Sequence, residues 1–518
     1  MIYSRAYLGP PGTGKTHTLM RLVEGYIRDK NISPERVGFV SFSKKATEEA
    51  RNRAASELGL DYKQMPHFRT LHSMAFRQLS LKIEDVMRGK DYRELERLLG
   101  MEFQASSSMS MNDSEFFRIG GKGDMYLSIY NMARVRGVDP KTQFHQQASW
   151  SLHEGEFFHV VRAYEDYKKA LDKLDFTDMI VNFVEAGLPP ELDLLIVDEA
   201  QDLVPLQWKM IDRMEEHAKD VFYAGDDDQA IYEWMGVNPA DFIRRVTEAD
   251  ERVLLDKSFR VPKAVHQYAT DISCRIGSRI DKAYAPREDV GSTQHHYSLD
   301  ELDLEEGQWM VLARTNYIAN KIGNEMKARG LLYWRSGNGW SVSNKTLENV
   351  RAFTRLSKGE SLPRTEFQEV WSAIKVDRKL RRAGNKLLKE TDQMSFDLEP
   401  EDVRYDMPLL CRMLGADVSE KPWYMVLNIS PRERIYITSV LRSGDKFNED
   451  NPRVVLSTIH KAKGGEADNV ALFLESTKAC CTMGDPDGER RVFYVGATRA
   501  KENLHIIDPP SAKWRFQV

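Results

Sequence analysis

The chain of 518 residues carries a formal net charge of −5, with 41% hydrophobic and 30% charged side chains. That length accommodates about three or four domains with full cores, and no apolar run is long enough for a membrane-spanning helix. Mild acidity points to no class of partner, because a local basic track can sit on an acidic body. The four cysteines, Cys274, Cys411, Cys480 and Cys481, show no CxxC spacing, which disfavours zinc and iron–sulfur sites and predicts a reducing, cytoplasmic setting.

A short strand-like run leads into Gly9-Pro10-Pro11-Gly12-Thr13-Gly14-Lys15-Thr16, a glycine-rich loop of the GxxxxGKT form, with no room before it for a secretory leader. Backbone N–H groups of such a loop wrap around phosphates, Lys15 reaches the terminal phosphates, and the Thr16 hydroxyl can ligate Mg²⁺. Leu19, Leu22, Val23, Tyr26 and Ile27 then fall on one helical face, the strand–loop–helix context that this chemistry requires. Another strand is expected at Val37–Phe42. Residues 75–168 show helical pattern and predict an inserted domain, within which the small, polar stretch Gln104–Glu115 reads as a mobile loop. The buried strand Asp193–Val197 delivers Asp198, placed to hold the metal, and Glu199, placed to orient or deprotonate a water.

The strand Val221–Ala224 runs into Asp226, Asp227, Asp228 and Gln229, where a polar group can sense the γ-phosphate. Tyr232 and Trp234 just beyond read as stacking platforms for bases or as ordinary core and surface aromatics. After the strand Arg252–Leu255, Arg260 in Ser258-Phe259-Arg260 is a candidate for the γ-phosphate, and Arg499 is a second. Arginines brought from a facing lobe stabilise transition-state charge. Trp309–Ala313, Arg453–Ser457, Val470–Leu474 and Leu504–Ile507 form a second cluster of strands, interrupted by a mainly helical stretch, 341–445. Within it Lys375–Lys389 sets seven basic residues against Asp377, a duplex-phosphate contact or a solvated helix face. Glu165-Asp166-Tyr167-Lys168 has a nuclease-like spelling but no upstream acid pair. The pattern predicts an α/β fold with two parallel-sheet lobes. Their expected boundaries are 1–74 with 169–255 and 256–340 with 446–518; the helical inserts are 75–168 and 341–445.

Read in order, these segments resemble the motifs of superfamily 1 DNA helicases of the UvrD/Rep/PcrA family, over almost the whole chain. Ser41-Phe42-Ser43-Lys44-Lys45-Ala46 is similar to TFTNKA, Thr70-Leu71-His72-Ser73 to TFH, and Asp175-Phe176-Thr177-Asp178 to the segment ahead of the acid strand. Asp198-Glu199-Ala200-Gln201-Asp202 looks like DEFQD, and GDDDQAIYEWMG, starting at Gly225, looks like GDDDQSIYxWRG. TIHKAKGGE, starting at Thr458, resembles TxHxAKGLE, and YVGATRA, starting at Tyr494, is close to identical to the family form.

The resemblance implies two RecA-like motor lobes, each interrupted by a helical insert, and a DNA-dependent ATPase and helicase that uses ATP and Mg²⁺. On it, Gly9 to Thr16 would cradle the phosphates, Thr16 and Asp198 would hold the metal, and Glu199 would activate water. Lys15, Gln229, Arg260 and Arg499 would contact the terminal phosphates, Phe259 would stack on adenine and Glu466 would bond the ribose. Phe42, His72, Tyr232, Trp234, Thr458 and His460 would line a single-strand track. The GDDDQ-IY-W form accompanies 3′→5′ movement in the family. Implied partners are single-stranded DNA, single/double-strand junctions, and replication or repair proteins; no membrane is implied.

Several positions depart from the family pattern. No glutamine precedes Gly9 to read the adenine edge, which puts ATP selectivity in question. Met235 stands for Arg, Gly465 for Leu, and Ser258-Phe259 for Asn-Tyr, keeping a stacking ring without its hydroxyl. The alternatives to a helicase are a translocase that displaces bound proteins without unwinding, and an ATPase switch subunit of a repair or recombination complex.

Overall fold

The computed structural model describes residues 2–103, 121–147, 151–394, 403–443, 451–482 and 484–517. The stretch Gln104–Glu115 lies outside the described residues. Two compact units are present: one comprises Met1–Gln294, Thr477–Leu504 and Phe516–Val518, the other His295–Ser476 and His505–Arg515.

The first unit is built on strands β1 (Tyr3–Leu8), β2 (Val37–Ser41), β3 (Phe68–Thr70), β4 (Leu192–Asp198), β5 (Ala218–Gly225) and β6 (Glu251–Leu254), ordered β3-β2-β4-β5-β1-β6. All five pairings are parallel. Along β4, Leu194 and Ile196 enter one core with Phe39, Tyr7 and Phe222, while Leu195 and Val197 enter the other with Val40, Val221 and Tyr223. Successive side chains point to opposite faces, so a strand apolar at every position is one covered on both sides. That burial places the strand ends, where the polar residues begin, along one edge. The helix Lys15–Glu24 buries Leu19, Met20 and Val23. Beyond Gly25 its last turn widens, with the Lys30 N–H donating to the Gly25 carbonyl at 3.1 Å.

Between β3 and β4 the helices Gly89–Leu99, Lys122–Arg136 and Glu154–Ala170 gather around Tyr126, Phe157, Val160 and Tyr164. Gly100 and Gly137 terminate the first two at φ of +58° and +70°, left-handed values that glycine adopts without a Cβ penalty. The buried Lys168 ammonium pairs with Asp175 at 3.0 Å and Asp178 at 2.6 Å. Burial opposes the charge on Asp175, but Arg134 and Lys168 hold its carboxyl below the usual range. The nuclease-like spelling around Lys168 is thus an internal ion-pair network. Strand β7 (Lys257–Pro262) pairs in parallel with β8 (Ala285–Arg287) in a small separate sheet.

In the second unit β10 (Trp309–Ala313) lies between β15 (Val454–Thr458) and β16 (Ala467–Phe473), both parallel to it. β11 (Trp334–Arg335) runs parallel to β15 and pairs with β12 (Gly339–Trp340) in an antiparallel hairpin, a departure from an all-parallel pattern. The sheet order β12-β11-β15-β10-β16 continues through β17 (Ala500–Ile507) and β9 (Ser292–His296), the strands in which the chain passes from one unit to the other. A separate helical core around Phe353, Trp371, Leu410 and Ile437 carries the two-stranded β13 (Leu362–Pro363) and β14 (Arg404–Tyr405). No helix among the described residues is long and apolar enough to cross a membrane.

Candidate active site

The glycine-rich loop joins β1 to the helix Lys15–Glu24. Its first residue is fixed to the sheet, because the Gly9 N–H donates to the Gly225 carbonyl at 2.9 Å. The Thr13 hydroxyl donates to the Pro10 carbonyl at 2.8 Å and closes the loop. Gly12 and Gly14 adopt φ of +74° and +75°. The loop is also crowded from outside: the Ser258 hydroxyl donates to the Pro11 carbonyl at 2.7 Å, and the Phe259 N–H to the Gly12 carbonyl at 2.8 Å. A Cβ at Gly12 would stand 2.3 Å from the Arg260 Cβ. Gly12→Ala is therefore expected to cost about 1–3 kcal/mol in backbone strain and to push the Arg260 segment off the loop. Thermal unfolding and the KM for ATP check this; an unchanged midpoint together with an unchanged KM contradicts it.

Around this loop the candidate phosphate groups converge. The helix N-terminus presents its unbonded N–H groups beside Lys15. The Lys15 ammonium lies 3.2 Å from Asp198 and in direct contact with Glu199. Burial disfavours its charge, but the two carboxylates outweigh burial and hold the amine above its ordinary range. Asp198 is 2% exposed; burial raises its carboxyl, Lys15 opposes that rise and Glu199 adds to it. Glu199 has a φ of +52°, an unusual conformation for a long side chain and one that turns it off the strand end.

From Glu199 a chain of hydrogen bonds crosses to the next strand. Gln201 donates to Glu199 Oε2 at 2.7 Å and accepts from the Asp226 N–H at 3.1 Å. Asp226 accepts from Gln229 Nε2 at 2.8 Å, and Gln229 Oε1 accepts from Arg499 Nη2 at 3.2 Å. The structure thus brings Lys15, Asp198, Glu199, Gln229 and Arg499 into one network, with Arg260 against the loop and the exposed Phe259 ring beside Gly14.

Sequence reasoning passed over Gln201, Arg279, Lys282 and Arg491. The Lys282 ammonium meets Asp226, Asp227 and Asp228 at 3.2, 2.6 and 3.0 Å, and Arg279 grips Asp228 through two nitrogens at 2.9 and 2.7 Å. Arg491 donates to the Asp227 and Ser278 carbonyls and pairs with Glu233 at 3.1 Å. Burial, opposed by Arg491, pushes the Glu233 carboxyl up to about 7. One signal was available: three acids directly after a buried strand need cations nearby. Nothing in the spelling indicated which.

Two family models match the chain: the UvrD/REP helicase N-terminal domain over residues 7–248 and the UvrD-like helicase C-terminal domain over residues 428–509. The chain belongs to the UvrD/Rep/PcrA family of superfamily 1 helicases. Among relatives, it is 24% identical to the ATP-dependent DNA helicase PcrA of Bacillus subtilis, across 96% of this chain and 79% of that protein. It is also 24% identical to DNA helicase II of Haemophilus influenzae, across 96% and 81%. The putative ATP-dependent DNA helicase YjcD of B. subtilis is 25% identical, across 98% and 77%.

The candidate strand-binding residues of this helicase differ in exposure. Phe42 is 7% exposed within the sheet core, its ring centroid 5.4 Å from that of the half-buried Tyr232. His72 is buried edge-to-face on Phe176. Trp234 is 46% exposed. Met235, where the family pattern has Arg, is buried in the core. In the second unit, Thr458 caps the short helix Ile459–Ala462 by accepting from the Lys461 N–H at 3.4 Å, His460 is half-buried and Glu466 is exposed. On the basic helix Arg378–Met394, Arg381 turns inward, stacks over Trp371 at 4.5 Å and donates to the Trp371 and Ile374 carbonyls. Lys375, Arg378, Lys379, Arg382, Lys386 and Lys389 stay exposed.

Proposed function

We propose that this family member is an ATP-driven motor that moves 3′→5′ along single-stranded DNA and unwinds duplex at a junction. The observation that carries the ATPase part of the reading is the continuous network from Lys15 through Glu199, Gln201, Asp226 and Gln229 to Arg499, set against a glycine-rich loop; the direction rests on the GDDDQ-IY-W spelling that starts at Gly225. In the proposed reaction the loop N–H groups and Lys15 hold the β- and γ-phosphates, and Glu199 takes a proton from the attacking water. Gln229, Arg260 and Arg499 meet the charge on the transferred phosphoryl group, so its release is felt at once on three segments. Phe259 supports the base and Glu466 the ribose.

The donor set fits a divalent cation: the Thr16 hydroxyl on the first helical turn and the buried Asp198 carboxylate are hard oxygen ligands of the kind Mg²⁺ takes together with phosphate oxygens. Mg²⁺ held there would neutralise phosphate charge during transfer. Phe42, His72, Tyr232, Trp234, Thr458 and His460 are assigned to the strand track, with Trp234 the one best exposed for stacking on a base. The helical clusters of 75–168 and 341–445 are assigned as inserted domains, and the lobes as 1–74 with 169–255 and 256–340 with 446–518; of the second lobe so assigned, residues 256–294 and 477–504 cluster with the first compact unit.

Tailed duplexes test the reading. With ATP and Mg²⁺, a duplex with a 3′ single-stranded tail is expected to be unwound and one with a 5′ tail left intact. Unwinding from the 5′ tail alone overturns the direction. Turnover stimulated by single strands without unwinding of either substrate selects the protein-displacing translocase, and turnover indifferent to DNA selects the switch subunit.

A further inference from the structure

We propose that Lys282 is a positioning residue for ATP hydrolysis: it clamps the Asp226–Gln229 turn so that Gln229 presents its carbonyl oxygen to Arg499. The inference rests on the reading that Gln229 and Arg499 meet the γ-phosphate.

The turn follows β5 directly, and Asp226, Asp227 and Asp228 are each at most 1% exposed. Three buried carboxylates in succession each cost several kcal/mol unless paired. Lys282, its side chain 1% exposed, offers three N–H donors and meets one oxygen of each acid. Arg279 adds its grip on Asp228, and the Ile280 N–H donates to the second oxygen of Asp227 at 2.8 Å. The segment 279–282 therefore binds the turn at every acid.

The consequence for Gln229 follows from donor and acceptor roles. An ionised Asp226 can only accept, so it engages the amide nitrogen of Gln229 at 2.8 Å. The amide oxygen must then face the opposite way, where Arg499, also donor-only, meets it at 3.2 Å. With the amide reversed, Oε1 would face a carboxylate and Nε2 a guanidinium, both repulsive. The charge on Asp226 thus selects the orientation of Gln229. Burial pushes the Asp226 carboxyl up to about 6; Lys282 works against that rise, while Asp228 and Asp227 reinforce it. Removing Lys282 lets the buried cluster take up a proton, and a protonated Asp226 no longer dictates which end of the amide it engages. Lys282 and Arg260 also share the connection that leaves the first sheet after β6, so the clamp joins the segment of one γ-phosphate candidate to the turn of another.

A cluster that only neutralises buried charge would lower stability when disrupted and leave hydrolysis alone. A double-mutant cycle separates the two roles. Single-strand-stimulated ATP turnover, KM for ATP and thermal midpoint are measured for wild type, Lys282→Met, Gln229→Ala and the double variant. The expected result is a loss in kcat of about tenfold or more for Lys282→Met with KM changed less than about threefold, and a double variant no slower than Gln229→Ala. Losses that multiply in the double variant, or a lower midpoint with unchanged kcat for Lys282→Met, overturn the positioning role. Wild-type turnover in Gln229→Ala overturns the γ-phosphate reading itself and this inference with it, an outcome visible before the cycle is completed. Should Lys282→Met not fold, Arg279→Gln removes only the outer cation and carries the same cycle, with a smaller loss in kcat and the same lack of additivity expected.

Discussion

Replacing Glu199 with Gln is expected to lower DNA-stimulated ATP turnover by a factor of about 10²–10⁴, the range for loss of a positioned general base. The amide cannot take a proton from water, yet it fills the same volume on the same left-handed backbone. Both carboxylate oxygens are engaged, one by Lys15 and the other by Gln201 Nε2. Gln at this position can accept from only one of these donors and turns its own NH₂ toward the other. That mismatch is expected to cost about 1–3 kcal/mol of stability, small beside the effect on turnover. Because the phosphates are held by the loop and Lys15, the KM for ATP should change little while kcat falls, the signature of an interaction needed only in the transition state. Steady-state turnover with saturating single strands checks this. A kcat within threefold of wild type removes Glu199 from the water-activating role.

Glu199 also illustrates what is legible in a sequence of this kind. The strand ahead of it announces itself, since seven residues from Leu192 to Asp198 are buried and most are apolar. A two-sided core requires that composition, and the acids at its carboxyl end stand out against it. The glycine-rich loop is legible for a related reason: Gly12 and Gly14 both sit at positive φ, where a side chain is strained, and at Gly12 a Cβ would also collide with Arg260. Short elements carry no such pattern. β3 spans three residues with Arg69 at its centre, and the β11–β12 hairpin offers two residues a side; their places in the sheets are set by β2 and β15, distant in sequence. Exposure of single aromatics is equally hidden. Phe42 and Trp234 both occur in motif-like segments, yet one closes a core and the other meets solvent. Lys282 was the hardest to see, because its meaning depends on three acids more than fifty residues upstream in the chain.

Lys15 couples the site's chemistry to its stability, and two substitutions pull these apart. Lys15→Ala is expected to reduce ATP turnover to near background, since the cation aimed at the terminal phosphates is gone. It also leaves Asp198, with 3% of its side chain exposed, and Glu199, with 28%, facing each other without their shared ammonium. Breaking a buried pair by removing one partner costs about 3–5 kcal/mol; the partial exposure of Glu199 places the expected loss at the lower end. Lys15→Arg keeps the positive charge between the acids, so most of that stability should remain. A planar guanidinium, however, cannot reproduce the compact ammonium at the loop's centre, and turnover should still collapse. Thermal midpoints without nucleotide, read beside ATP turnover for both variants, check the pair of expectations. If Lys15→Ala retains substantial turnover, the phosphate assignment of the loop fails. If it loses turnover but unfolds at the wild-type midpoint, the loop assignment stands and the ion pair contributes nothing to the fold.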